Sequence, residues 1–170
     1  MNGDTELDVV TADITLNKVS ILKGNGDGTF QGAVDGGGTG LRPSRLQAVD
    51  INGDQKVDLV VPNGGEPTVS VLYGNGDGSF GAMRGVETDV YPETVYVVDM
   101  NKDGNLDLVT ANPNSGTWTY IPGRGGGSFG TKVTMAAGTA LADLDGDGYL
   151  DVATTNAGDN QVAVFLQRCK

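Results

Sequence analysis

Four short stretches of this chain crowd carboxylates and amides around glycine in one spacing, and that spacing suits a metal-binding loop. Asp50-Ile-Asn-Gly-Asp-Gln-Lys-Val-Asp58, the stretch from Asp99 to Asp107 and the stretch from Asp143 to Asp151 carry Asp or Asn at loop positions 1, 3, 5 and 9; the stretch ending at Asp8 follows the pattern without its leading Asp. Like charges a few ångströms apart repel, so so many acidic groups in nine residues are unfavourable unless a cation sits among them. Side-chain oxygens at positions 1, 3, 5 and 9, with a main-chain carbonyl at position 7, can converge on one hard ion once glycine turns curl the backbone. Calcium accepts six to eight oxygens in flexible geometry, magnesium demands a small octahedron, and no soft ligand is present for zinc or copper.

Calcium is therefore the expected cofactor, with three complete sites and a fourth partial one. The second copy supplies Asp50, Asn52, Asp54 and Asp58 with the Lys56 carbonyl. The third supplies Asp99, Asn101, Asp103 and Asp107 with the Asn105 carbonyl. The fourth supplies Asp143, Asp145, Asp147 and Asp151 with the Tyr149 carbonyl. The first keeps Asn2, Asp4 and Asp8, with Glu6 at the carbonyl position, and its site should be weak or empty unless another chain adds an oxygen. An EF-hand fails at its twelfth position, where Val61, Thr110 and Thr154 replace the required acid.

Composition sets the outer bounds. The 170 residues include 28 glycines, one Trp, five Tyr and four Phe, too few aromatics for a large core. With 22 acidic and 11 basic residues the formal charge is −11, which argues against nucleic acid and anionic membranes as partners. No histidine and a single cysteine, Cys169, exclude a His triad, a His/Cys zinc site and an internal disulfide framework. No apolar run is long enough to span a membrane, so no membrane insertion is expected. The opening Met1-Asn2-Gly3-Asp4 lacks the basic and apolar regions of a signal peptide, which implies a removed leader or a start inside a longer protein.

The elements that must hold the loops repeat with them. The final aspartates Asp8, Asp58, Asp107 and Asp151 are 50, 49 and 44 residues apart, the length of one propeller blade. Eleven residues after each begins an alternating strand: Val19 to Leu22, Val69 to Leu72, Trp118 to Ile121 and Val162 to Phe165. Glycine turns follow in the first three copies, Gly24 to Phe30, Gly74 to Phe80 and the altered Gly123 to Phe129, with Asn-Gly and Asp-Gly chemistry suited to hairpins. Short strands precede the later loops at Leu46 to Val49, Val95 to Val98 and Gly138 to Ala142. Each unit reads as strand A, acidic loop, strand B, bend, strand C, glycine hairpin and strand D, so the chain is all-β. The units fall at about 1–42, 43–91, 92–136 and 137–170 of one repeat domain, the first without strand A and the last without strand D. That pattern predicts β-propeller blades of four antiparallel strands with incomplete ends, belonging to a larger propeller or completed by partner chains.

Asp50-Ile-Asn-Gly-Asp-Gln-Lys-Val-Asp-Leu-Val and Val69-Ser-Val-Leu-Tyr-Gly-Asn-Gly-Asp-Gly-Ser-Phe resemble the FG-GAP/VCBS repeat of the integrin α-subunit propeller and of many bacterial and fungal secreted proteins. The resemblance covers nearly the whole chain. It implies a β-propeller with structural calcium in the loops between strands A and B, and, since some fungal propellers of this repeat bind sugars between blades, a lectin-like activity. The truncated first loop and the third glycine turn, with Arg124 and Gly126 in place of Asn and Asp, depart from the pattern.

The functional expectation is a non-enzymatic, extracellular recognition or adhesion module that contacts a protein or glycan. The alternatives are a structural subunit polymerising by edge completion into a fibre or surface layer, and a glycosidase using connector carboxylates such as Glu66, Glu87, Asp89 and Glu93. Trp118 and Tyr120 align with aliphatic Val69 and Val71, which favours core packing over a sugar platform. Tyr73, Tyr91 and Tyr96 could stack on a glycan, but a half-buried strand tyrosine is the commoner case. Asp27 and Asp77 are accounted for by turn chemistry, and Cys169 is either a free thiol or a link between chains.

Overall fold

The computed structural model describes residues 1–136, 140–156 and 161–166; Gly138, Thr139 and Cys169 lie outside them. Fourteen strands run in chain order: β1 (Val9–Asp13), β2 (Lys18–Leu22), β3 (Val34–Gly38), β4 (Gln47–Val49), β5 (Asp58–Asn63), β6 (Thr68–Leu72), β7 (Arg84–Glu87), β8 (Thr94–Val98), β9 (Asp107–Asn112), β10 (Thr117–Ile121), β11 (Val133–Ala136), β12 (Ala140–Ala142), β13 (Asp151–Asn156) and β14 (Gln161–Phe165). No helix occurs among the described residues. The strands form four antiparallel meanders, β1 to β3, β4 to β7, β8 to β11 and β12 to β14, so two four-stranded sheets stand between two three-stranded ones.

Pairing of strands B and C is the same in every sheet. The residue two after each final loop aspartate opposes a residue eleven further on: Val10 faces Ile21, Val60 faces Val71, Val109 faces Tyr120 and Ala153 faces Val164. A one-residue slip would turn every side chain to the opposite face, so buried faces on both sides enforce this register.

The core lies between the sheets. Along β5, alternation sends Leu59 and Val61 into a cluster with Val19 of the first sheet, and Val60 into one with Val95, Leu108 and Ile121 of the third. Val109 and Trp118 pack with Met100 and with Val152 of the fourth sheet. Every residue of β5 is buried. A single sheet thus has no interior of its own and gains one only from its neighbours, the economy of repeat architectures.

Polar links span the same seams. At equivalent places at the ends of β2 and β6, the Lys23 Nζ donates to the Asp77 carbonyl at 3.0 Å and the Tyr73 hydroxyl to the Gly127 carbonyl at 2.6 Å, each reaching the glycine turn of the next unit. Trp118 is 2% exposed within the third seam, as its alignment with Val69 predicts. Tyr73 is committed to the Gly127 link.

Because strands alternate in direction, the acidic loops and glycine turns gather at one end of the sheets, and the bends and unit-to-unit connectors at the other. The connectors are tied down by side chains. Asp89 accepts the Thr117 hydroxyl at 2.6 Å and the Val90 N–H at 2.9 Å, which hold its carboxyl below the usual carboxylate range. A depressed folded-state value stabilises above the unfolded value and is lost as pH falls through the folded one. Asp89→Asn should therefore lower the melting temperature at pH 7, by roughly 1 kcal/mol or less for this half-exposed group. The deficit should close as the pH is taken from 5 to 3, and a deficit unchanged at pH 3 would remove the charge from the explanation.

Candidate metal-binding loops

The last aspartate of the second, third and fourth loops begins strand B and is built into the sheet, and Asp8 directly precedes strand B of the first. Asp58, Asp107 and Asp151 are fully buried. Asp58 Oδ2 accepts the Ile51 N–H at 3.1 Å and Oδ1 the Gly74 N–H at 2.8 Å; Asp107 accepts the Met100 N–H at 3.0 Å and the Gly123 N–H at 2.7 Å. In the first copy Asp8 takes the Gly24 N–H at 3.0 Å and the Met1 nitrogen at 3.0 Å, and in the fourth Asp151 takes the Leu144 N–H at 2.7 Å. One carboxylate thus fastens the start of its own loop to the glycine turn after strand C.

That clamp explains three glycines. A Cβ on Gly24, Gly74 or Gly123 would lie 2.3, 2.1 or 2.2 Å from the carbonyl oxygen of Leu7, Val57 or Leu106, closer than any side chain tolerates. None of the three has a positive φ, so close approach and not backbone conformation demands them, whereas Gly26, Gly28, Gly76 and Gly78 do occupy the left-handed region that the turn requires. Asp27 and Asp77 each accept the N–H and hydroxyl of the residue two further on, Thr29 or Ser79, which is turn chemistry.

The other loop positions curl the backbone around their own oxygens. Asp50 accepts the N–H groups of Gly53, Asp54 and Gln55; Asp99 accepts those of Asp103 and Gly104; Asp143 accepts those of Gly146 and Gly148. Asn52, Asn101 and Asp145 each take the N–H two residues on, as do Asp54, Asp103, Asp147 and Asp4. The N–H groups of Lys56, Asn105, Tyr149 and Glu6 are the donors in these last four bonds, which pins the residues whose carbonyls would face an ion.

The loops differ in how closely their acids gather. In the fourth, carboxylate oxygens of Asp143, Asp145 and Asp151 all lie within 4.8 Å of one another, the one such acidic group among the described residues. In the second, Asp54 leans toward the Lys56 ammonium at 3.7 Å, and in the third the Asn101 and Asn105 amides donate to Asp103 at 3.0 and 2.9 Å. In the first, the Asn2 amide donates to Asp4. Burial pushes the carboxyls of Asp58 and Asp107 above the usual range against the pull of their N–H donors, and the charges of Asp50 and Asp54, or of Asp103, push the same way. A divalent cation would oppose that rise, and an all-oxygen donor set suits calcium.

Stacked antiparallel sheets, each with one acid-rich loop and the first three with a glycine turn at the same end, define a β-repeat protein. The chain matches the FG-GAP-like repeat over residues 1–61, 50–110 and 99–154, and it belongs to that family. No curated protein matches it. Among solved structures it is similar in fold to a lectin of Agrocybe aegerita, described as recognising non-reducing terminal N-acetylglucosamine, with a TM-score of 0.57 and 22% identity. The match covers 95% of this chain and 52% of that one, so the chain spans about half the length of the lectin.

Asp58→Ala would leave two buried N–H groups without an acceptor, a loss of about 2–5 kcal/mol in unfolding free energy. Most of that loss should persist in chelator, whereas Asp54→Ala should destabilise only when calcium is present. A deficit for Asp58→Ala that vanishes with EDTA would mean that the carboxylate acts through an ion alone.

Proposed function

We propose that the chain is a non-enzymatic glycan-recognition module of the extracellular space, its four units being blades of a calcium-stiffened β-propeller. The observation that carries this reading is the combination of oxygen-only loops at one end with a fold shared with an N-acetylglucosamine-recognising lectin. The loops stiffen the scaffold, and the connectors at the other end, anchored but variable in sequence, contact the sugar. Repetition supplies several weak sites and hence avidity.

Asp143, Asp145, Asp147 and Asp151 would hold one ion, with the equivalent residues of the second and third loops holding two more. Each ion neutralises clustered carboxylates and ties loop to strand. Weak sites of this kind fill at millimolar calcium and stay empty in a cytosol, which supports the extracellular assignment. The terminal sheets have three strands where the middle ones have four, so β1 and β14 have room for a further strand. The open edges leave the fibre-forming subunit, completed strand by strand by partner chains, as the second reading.

At a dissociation constant near ~10⁻⁴ M, millimolar calcium adds roughly 1.4 kcal/mol per site. Three sites should raise the melting temperature by roughly 8–16 °C over chelated protein. An unchanged melting temperature would sink structural calcium. A glycan array with the calcium-loaded protein tests recognition: bound N-acetylated glycans support the module, while an empty array with concentration-dependent growth in mass supports the fibre.

A further inference from the structure

The connector end holds an open pocket of about 480 Å³ that spans three units and gathers Arg42, Ser44, Arg45, Tyr91, Glu93 and Asn114. We infer that this pocket is a binding site for an acidic sugar, its carboxylate held by the Arg42 and Arg45 guanidinium groups and its ring laid on Tyr91. The inference rests on the glycan-binding reading and names the ligand class.

Charge decides the ligand's sign. The chain carries only 11 basic residues against 22 acidic ones, yet two arginines share one pocket. Neither makes an ion pair among the described residues, where the pairs are Met1 with Asp8, Lys18 with Asp35 and Lys56 with Asp54. Glu93 is the one carboxylate lining the pocket. Three other acids at this end are engaged locally, Asp13 with the Thr15 and Leu16 N–H groups, Glu66 with the Thr68 hydroxyl and Asp89 with Thr117, and Glu87 does not line the pocket. The acidic loops lie a strand away; five residues span about 17 Å, twice the ~8 Å Debye length at physiological salt. They do not cancel the pair, and a guanidinium is the donor whose planar fork matches a carboxylate.

The surroundings suit a sugar. Tyr91 is 47% exposed in a chain with few aromatics, and a ring face beside hydroxyl, amide and carboxylate groups is how sugar rings and their hydroxyls are held. The frame is fixed. Arg42 and Tyr91 stand at equivalent positions, each before a proline, Pro43 or Pro92, and both have positive φ, at 55° and 57°. The Arg42 N–H donates to Asn17 Oδ1 at 2.8 Å and its carbonyl accepts the Gly64 N–H at 2.9 Å; the Ser44 hydroxyl donates to the Glu93 carbonyl at 2.9 Å. Bonds to Asn17 and Gly64 thus hold the exposed Arg42 in a backbone conformation it rarely adopts, Tyr91 stands in the same conformation, and Ser44 joins the two connectors, the mark of a preorganised site.

The test compares methyl β-glucuronide, methyl β-glucoside and methyl N-acetylglucosaminide by NMR titration of calcium-loaded protein at low salt. The glucuronide should bind at least about tenfold tighter than the glucoside. The doubly substituted Arg42→Gln/Arg45→Gln protein should lose that preference with an unchanged melting temperature, and 0.5 M salt should erode it in the parent protein. Tyr91→Ala should weaken both hexosides together. Equal binding of acid and neutral sugar, or a preference that survives the double substitution, overturns the inference. If N-acetylglucosaminide binds without any acid preference, the glycan-binding reading stands alone; if none of the three binds, both fall.

Discussion

A buried aspartate that accepts two main-chain N–H groups is the interaction on which each unit depends. Asp58 and Asp107 reach from the first residue of strand B to the loop before it and to the glycine turn beyond strand C, so one side chain closes three segments into one end of a sheet. A carboxylate suits this place because it offers two oxygens in one plane and makes stronger bonds to N–H than a neutral acceptor does. Its burial works against it, as the upward displacement of both carboxyls records. The acid-rich loop beside it is the remedy that chemistry offers. A cation held there would also lower the cost of keeping the buried one ionised, and the charges of the loop act directly on the clamp carboxylate.

Fixing the sheet ends matters because the sheets have little else. Their apolar side chains face neighbouring sheets, and the clusters around Val60, Leu59 and Val109 each draw residues from two units. Stability is thus a property of seams, and seams demand that successive sheets meet at a constant angle and height. The Lys23 and Tyr73 links supply that constraint between the first and second and the second and third units. Pro122 occupies the equivalent position in the third unit and has no side-chain donor to make the link. The seam to the fourth unit relies on Trp118 and on the Lys102 ammonium, 4.1 Å above the Tyr149 ring.

Sequence alone reveals the repeat, because every unit obeys the same register and the spacing from final aspartate to strand C is constant. The strand pairs Val60 with Val71 and Val109 with Tyr120 follow from it. Loop oxygens are equally legible, since their types and intervals carry the signal. What periodicity cannot carry is tertiary contact, within a unit or across a seam. Gly74 reads as a hairpin glycine, yet it is required by the Val57 carbonyl 2.1 Å from where its Cβ would stand. Tyr73 reads as a candidate for stacking, yet its hydroxyl reaches a carbonyl 54 residues away. The buried role of Asp58 is likewise hidden, because a ligand-spaced aspartate and a sheet-closing one look alike until Ile51 and Gly74 are seen to donate to it. Arg42 and Tyr91 show the same limit: they fall in connectors, where no alternation marks a face, and only the stacking of three units brings them to one pocket.

The two ends of the molecule therefore solve opposite electrostatic problems. At the loop end, carboxylates cluster in a way that a shared cation would relieve, and variation there is limited by the clamp. At the connector end no such clamp operates, and the pre-proline residue changes from Arg42 in one unit to Tyr91 in the next while keeping its positive φ. A scaffold closed at one end can hold a strained, exposed side chain at the other, where the bonds of Arg42 to Asn17 and Gly64 resist the strain. Chemical variety then costs the fold little where the chain displays its side chains and a great deal where it closes its sheets. That asymmetry places clustered carboxylates and variable, exposed side chains at opposite ends of the same strands.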